Sequence, residues 1–198
     1  MFMGTYEVTQ EQYYAIMGTN PSNFRGGLET SDNPHGQTTA SCPVECVSWN
    51  DIMEENGFIA KLNASDTIQA YLTAKGLSSY QFALPTQSQW KTACDAGTTT
   101  EDSDDNVNDR AWYWVNWGSG NNKTHDVGGK SPNAWGLYDM RGNVWEWTLT
   151  ESGSLRFVCG GSWDDYADYC RSSSYYSSDP GHSFYDFGFR VALVAPSN

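Results

Sequence analysis

Four groups of residues in this chain could do chemistry. The first is five cysteines, at positions 42, 46, 94, 159 and 170. The number is odd, so at least one thiol is free or pairs with another chain. No Cys-x-x-Cys occurs, and no histidine stands at zinc-finger spacing from Cys42-x-x-x-Cys46, so a structural zinc has little support. That spacing allows a Cys42–Cys46 disulfide without establishing its geometry. The second group is His35, His125 and His182. They are far apart, none forms a triad with a serine, and His182 has no second histidine nearby to share a metal. The third is the carboxylate pair Asp139 and Glu146, whose side chains would serve to cap turns and accept from backbone N–H groups. No glycine-rich phosphate loop is present.

The fourth group is a segment, Asp164 to Asp186. Its 23 residues include five Tyr, five Asp and six Ser. Lys, Glu, Gln, Met and Trp are absent from it, although together they make about one residue in six of the chain. Codons that began as AAC or AAT and varied only at adenine reach Tyr, Asp, Ser, His, Ala, Phe, Gly and Asn, and none of the absent five. Tyr offers contact area at low entropy cost and Ser adapts its hydrogen bonds, the composition of antibody loops. Asp adds charge specificity. The alternative is an ordinary polar loop rich in Tyr and Asp, but tyrosine at this density exposes apolar area with no evident core role, which marks a contact site. The candidate ligand-binding residues are Asp164, Asp165, Tyr166, Asp168, Tyr169, Tyr176, Ser177, Ser178, Asp179, His182, Phe184, Tyr185 and Asp186. Ala167, Cys170, Arg171, Ser172, Ser173, Pro180 and Gly181 interrupt them and are expected to be scaffold.

The elements that must position these residues are helix-poor. Gly4–Gln10 reads as a strand. Thr9 with Gln12 opens a helix through Met17. Ser48 or Asn50 caps a second, over 51–62, with Ile52, Phe58, Ile59 and Leu62 as its buried face. Thr86 with Gln89 opens a third through Ala93, which Gly97 ends. Asn33-Pro34-His35-Gly36 is a turn cluster, and 98–108 is a polar, acidic, exposed loop. From Ala111 on, short strands alternate with Gly, Asn and Ser turns. Trp145 and Trp147 are expected as packing residues on opposite faces of their segment. One α+β domain over 1–198 follows, with few helices, short twisted strands and many long loops.

Composition bounds the function. The chain has 198 residues, 29 of them aromatic (nine Trp, twelve Tyr, eight Phe), which excludes an acidic disordered chain. A net charge of −13 argues against nucleic acid and against an anionic membrane surface as partners. No run nears the ~18 apolar residues of a membrane span. Met1–Gln10 lacks the basic and apolar regions of a secretory signal.

Ordered blocks along the chain carry a resemblance. They run from Gly4-x-x-Glu7-Val8-Thr9-x-x-Gln12-Tyr13 and Asn20-Pro21-Ser22-x-Phe24 to Pro43-Val44-Glu45-x-Val47-Ser48-Trp49 and Leu84-Pro85-Thr86-x-x-x-Trp90. Asn133-Ala-Trp-Gly136-Leu-Tyr-Asp-Met140 and Gly142-Asn143-Val144-Trp145-Glu146-Trp147 follow, then Gly160-Gly161-Ser162-Trp163 and Phe187-Gly188-Phe189-Arg190. Together they resemble the formylglycine-generating-enzyme/sulfatase-modifying domain, which implies a C-type-lectin-like fold. The resemblance implies two catalytic cysteines, two and seven residues after Trp163. Those positions hold Asp165 and Cys170, so the first thiol is missing, and a carboxylate cannot replace a soft thiolate in copper or disulfide chemistry. It also implies a calcium loop on Asp139, Gly142, Val144 and Glu146.

The segment 164–186 further resembles the variable region of diversity-generating-retroelement proteins of the same lectin-like class. That resemblance implies a non-enzymatic receptor or adhesin, displayed at a cell surface or outside the cell. Its partner would be a protein or glycan on another cell, host or phage; no cofactor would be required, with calcium the one candidate. Two other readings stay open: a cysteine-dependent oxidase working through Cys170, and a calcium-dependent carbohydrate-binding module of fixed specificity.

Overall fold

The computed structural model describes residues 1–25, 39–98, 107–114 and 123–195. The helices start where local capping chemistry starts them. In α1 (Gln10–Met17) the Thr9 hydroxyl accepts from the Gln12 N–H and the Gln12 side chain accepts from the Thr9 N–H. Two donors that the first turn leaves orphaned are thereby paired. Ser48 and Asp51 do the same for α2 (Trp49–Met53). Thr86 and Gln89 do so for α5 (Gln87–Asp95), which runs to Asp95 and is capped by Ala96 in the left-handed region, φ 48°, with Gly97 following.

The single helix expected over 51–62 is two helices. The chain breaks after Met53 and resumes as α3 (Phe58–Ala64). Gly57 makes the break: a Cβ there would lie 2.8–2.9 Å from the Asp51 and Ile52 backbone. The expected buried face survives, since Ile52, Phe58, Ile59 and Leu62 all enter the core. A further helix, α4 (Asp66–Ala74), carries only Leu72 fully inward. Within the polar stretch 98–108, residues 99–106 lie outside the described residues. Its end begins a one-turn helix, α6 (Val107–Arg110), with Val107 buried rather than exposed. The 33–36 turn cluster, with His35, also lies outside the described residues.

Two sheets complete the fold. In the smaller, β7 (Ala192–Val194) lies between β1 (Phe2–Met3) and β2 (Gln81–Ala83), antiparallel to both. The strand expected over Gly4–Gln10 reduces to β1 just before it and a lone bridge from Thr9 to Pro43. Gly4 and Thr5 instead turn their carbonyls to a buried arginine. The larger sheet has the order β5-β4-β3-β6, built from β3 (Trp145–Ser152), β4 (Leu155–Cys159), β5 (Tyr175–Ser178) and β6 (Phe187–Gly188). Strand β6 runs parallel to β3, and the other pairs are antiparallel. Trp145 and Trp147 share one face, not two, because residues two apart on a strand point the same way. Both enter the main core, and Glu146 between them points the other way. This mixed α+β, C-type-lectin-like architecture has few helices and short strands, as expected.

Candidate functional site

Residues 160–188 leave β4, form the edge strand β5 and end in β6 on the opposite edge of the sheet. The segment therefore spans the sheet, and the framework pins its main chain at several points. Gly160 and Gly161 start it with φ of 102° and 76°. A Cβ on Gly161 would meet the Tyr169 carbonyl at 2.8 Å, so only glycine fits that turn. The Trp114 N–H donates to the Asp165 carbonyl, Asn50 to Pro180, Cys46 to Phe184 and Trp145 to Asp186, at 2.7–3.0 Å. Strand β5 adds the ladder to β4, with Tyr175 opposite Cys159 and Tyr176 opposite Val158.

The side chains divide into two classes. Tyr166, Tyr169, Tyr176, Phe184 and Tyr185 are among the exposed large hydrophobics, with Tyr166 60% exposed. Asp168, Asp179 and His182 are exposed as well, while Asp164 and Ser177 are half-buried. Two candidates turn inward. Ser178, at the end of β5, is buried, 5% exposed. The Asp165 carboxylate accepts from the Ser162 hydroxyl at 2.6 Å and from its N–H at 3.0 Å, so it holds the turn after Gly161. Asp168 is partly spoken for by Arg171 at 2.6 Å, an exposed pair of small energetic weight. Composition missed Tyr175, which is 56% exposed beside Tyr176. It belonged to the same Tyr-rich signal. Trp114, which packs near Tyr166 at 5.9 Å, gave no signal in the segment at all.

Tyr169, Tyr175, Tyr176, Phe184 and Tyr185 line an open concavity of about 460 Å³, with Asp165, Asp186, Trp145 and Phe187 completing its wall. Asp186 titrates above the usual carboxylate range, pushed up to about 6 by burial and then by Asp165. Asp165 is also raised, mainly by burial. Tyr185 donates to Asp164 at 3.0 Å, which pushes its own phenol up.

The two positions that would carry catalytic cysteines hold nothing reactive. Cys170 is fully buried among Val107, Ala111 and Tyr113. Burial, then Asp165, drives its thiol upward, away from the thiolate that nucleophilic or redox chemistry needs. Cys159 lies in another cluster with Trp90 and Cys94 and is raised for the same chief reason. All five cysteines are free thiols, so no disulfide joins Cys42 to Cys46. His125 stacks on Trp112 at 3.8 Å, and burial, then Lys123 and Lys130, holds its pKa down to about 4, so it is a neutral packing residue.

Asp139, Gly142, Val144 and Glu146 do not fit a calcium loop. Both Glu146 oxygens already accept from Arg190, at 2.7–3.0 Å, and one also accepts from the Trp90 indole at 2.7 Å. A buried guanidinium stands where the cation would have to be. Asp139 accepts from the Gly128 N–H, and its other oxygen has no hydrogen-bond partner. Burial lifts Asp139 to about 6. Among the described residues no cluster of three or more His, Cys, Asp or Glu could hold a metal ion. Millimolar calcium and a chelator are both expected to leave the melting temperature unchanged, because only binding to the native state shifts it. A calcium-dependent rise in a thermal-shift assay would contradict this geometry.

Comparison with known proteins extends the picture. Residues 1–195 match the family described as the sulfatase-modifying factor enzyme 1-like domain. The chain is 30% identical over 207 residues to a protein named chaperone protein LppX from Paenibacillus barcinonensis, covering 82% of this chain and 69% of that one. It is 28% identical to the inactive C-alpha-formylglycine-generating enzyme 2 of Bos taurus, over 77% of this chain and 50% of that protein, and so spans about half its length. Among solved structures, Treponema denticola variable protein 1 superposes with a TM-score of 0.73 and 29% identity, over 98% of this chain and 84% of the other. The Major Tropism Determinant U1 variant shares the fold alone, with a TM-score of 0.50 and 12% identity over 98% of this chain and 50% of its own.

Proposed function

Since this chain belongs to the sulfatase-modifying factor enzyme 1-like domain family, a family fold that leaves activity to be argued at the site, we propose that it is a non-enzymatic ligand-binding protein of receptor or adhesin type. Its 164–186 face is diversified by adenine-specific mutagenesis of a retroelement. One observation carries the reading: the main chain of this segment is tied to the framework by hydrogen bonds from Trp114, Asn50, Cys46 and Trp145, while its tyrosines stand exposed. Side chains can then be exchanged without reorganising the backbone, and a preordered backbone avoids the entropic cost of ordering a loop on binding. Similarity to the Treponema denticola variable protein supports the reading. Asp165 in place of a thiol and the buried Cys170 argue against oxidase chemistry.

The partner is a protein or glycan on another cell, host or phage, met at a cell surface or outside the cell. No described helix is long and apolar enough to cross a membrane.

Two measurements test the proposal. The surrounding genome is expected to hold a second copy of the coding segment for 164–186 that differs only at its adenines. A locus without that copy overturns the diversification. At the protein level, substitutions drawn from Tyr, Asp, Ser, Asn and Ala at Tyr166, Tyr169, Tyr175, Tyr176 and Phe184 are expected to shift stability by about 0.5 kcal/mol each, the surface norm. Unfolding of such a library would show that these rings are core, not binding face.

A further inference from the structure

Three observations at the concavity bear on what it binds. First, its wall is aromatic: Tyr169, Tyr175, Tyr176, Phe184 and Tyr185 converge on about 460 Å³. Second, its inner end carries two carboxylates, Asp165 and Asp186, with Asp164 beside them on Tyr185. Third, no cation is among the main influences on either lining carboxylate: burial and then Asp165 act on Asp186, while burial and then hydrogen bonds from Ser162 and Trp145 act on Asp165. The segment's one basic residue, Arg171, pairs with Asp168. Half-buried carboxylates without a counter-charge are costly, and a perturbed pair in a cleft is a mark of a functional site. Aromatic faces supply the complement, since a cation gains by lying over tyrosine, more so when partly desolvated.

We infer that this groove receives an arginine or lysine side chain of a partner protein, its charge set against Asp186 and Asp165 and its stem between the tyrosines. The inference rests on the binding-face reading above and deepens it from a surface to a ligand chemistry. Charge complementarity is the reason to prefer a basic protein segment over a neutral glycan. The aromatic wall would accept either, but a neutral sugar would leave both carboxylates uncompensated.

Asp186 faces Asp164, Asp165 and Tyr185 along the segment and Cys46 from the stretch before α2. Cys46 stays a neutral thiol, raised to about 12 by burial and then Glu45. Asp186, raised to about 6, gains a proton between neutral and mildly acidic pH, and Asp165 beside it is raised as well.

The test is selection of random dodecapeptides displayed on phage against the intact protein at pH 7.5. Peptides that depend on the groove, losing at least tenfold in affinity on Tyr175→Ser or Tyr176→Ser, are expected to be at least twofold enriched in Arg and Lys over the unselected pool. Their affinity is expected to fall at least tenfold on Asp186→Asn, and to weaken between pH 7.5 and pH 5 as Asp186 takes up a proton. Asn is close to Asp in shape, and thermal melts confirm that each variant is folded; Asp165→Asn is the second variant if Asp186→Asn melts early. Groove-dependent peptides without basic enrichment, or indifferent to both aspartates, overturn the cationic ligand and leave the binding face standing. Selected peptides that ignore every substitution in 164–186, or no selected peptide at all, overturn both.

Discussion

Arg190→Leu is expected to leave the protein unfolded or nearly so at room temperature. Arg190 is fully buried and donates to both oxygens of Glu146, itself 1% exposed. Its remaining N–H groups reach the carbonyls of Gly4, Thr5 and Tyr138. Glu7 and Asp139 also act on it electrostatically, so one guanidinium serves three buried carboxylates. Burial, then Asp139 and Glu146, pushes Glu7 well above its usual range, which shows how little negative charge the pocket tolerates. Removing one partner of a buried pair costs about 3–5 kcal/mol, because the other charge is left uncompensated. The three carbonyls lose their donors as well. A domain has only about 5–15 kcal/mol in hand. Arg190→Lys keeps the charge but not the fork, and is expected to fall between. The double variant Arg190→Leu with Glu146→Gln is expected to be more stable than Arg190→Leu alone, since the stranded charge is gone. Urea unfolding followed by circular dichroism reads all three. A single variant as stable as the native chain would mean that Glu146 has another counter-charge.

Gly142→Ala is the second large effect, expected at about 3 kcal/mol or more. Gly142 has φ 71°, and a Cβ there would sit on the Trp112 carbonyl oxygen. That carbonyl is bonded to the Asn143 N–H, and Gly142 in turn donates to Gly160. Asn143 ties the same turn to Glu7 and His125. The neighbours cannot retreat without breaking this hub. Gly153, in the β3–β4 turn, is the control: its φ is 61° and nothing lies within 4 Å of an added Cβ. Gly153→Ala should cost only the left-handed strain, about 1–2 kcal/mol. The difference between the two isolates the close approach at Trp112. Equal costs in a denaturant titration would show that the approach is not tight. The glycine in the Asp139–Glu146 pattern is thus explained by backbone packing.

Locally encoded features were legible in the sequence. Thr9 with Gln12 and Thr86 with Gln89 announce their helices because the donor and acceptor lie three residues apart. The break at Gly57 was not legible, because its cause is a backbone contact with Asp51 and Ile52 rather than a loss of apolar periodicity. The fate of Glu146 was not legible either. The family resemblance paired it with Asp139 around a cation, and its actual partner lies 44 residues away. In 164–186, the Tyr, Asp and Ser bias singled out the segment, but Asp165 and Ser178 turned inward and Tyr175 outward.

By itself the sequence determined which family the blocks resemble, where helices begin, and which 23 residues carry an aromatic and acidic excess with no core role. Composition and short-range hydrogen bonding are enough for these, since they need no knowledge of distant neighbours. Only the tertiary structure decided that Arg190 occupies the carboxylate cluster, that Cys170 is sealed, and that five aromatic side chains and two aspartates share one groove. Each of those depends on which groups from remote parts of the chain desolvate one another. The segment 164–186 shows the division most plainly: its chemistry was written in its residue types, and which of its side chains stand exposed was decided by the framework atoms that hold its backbone.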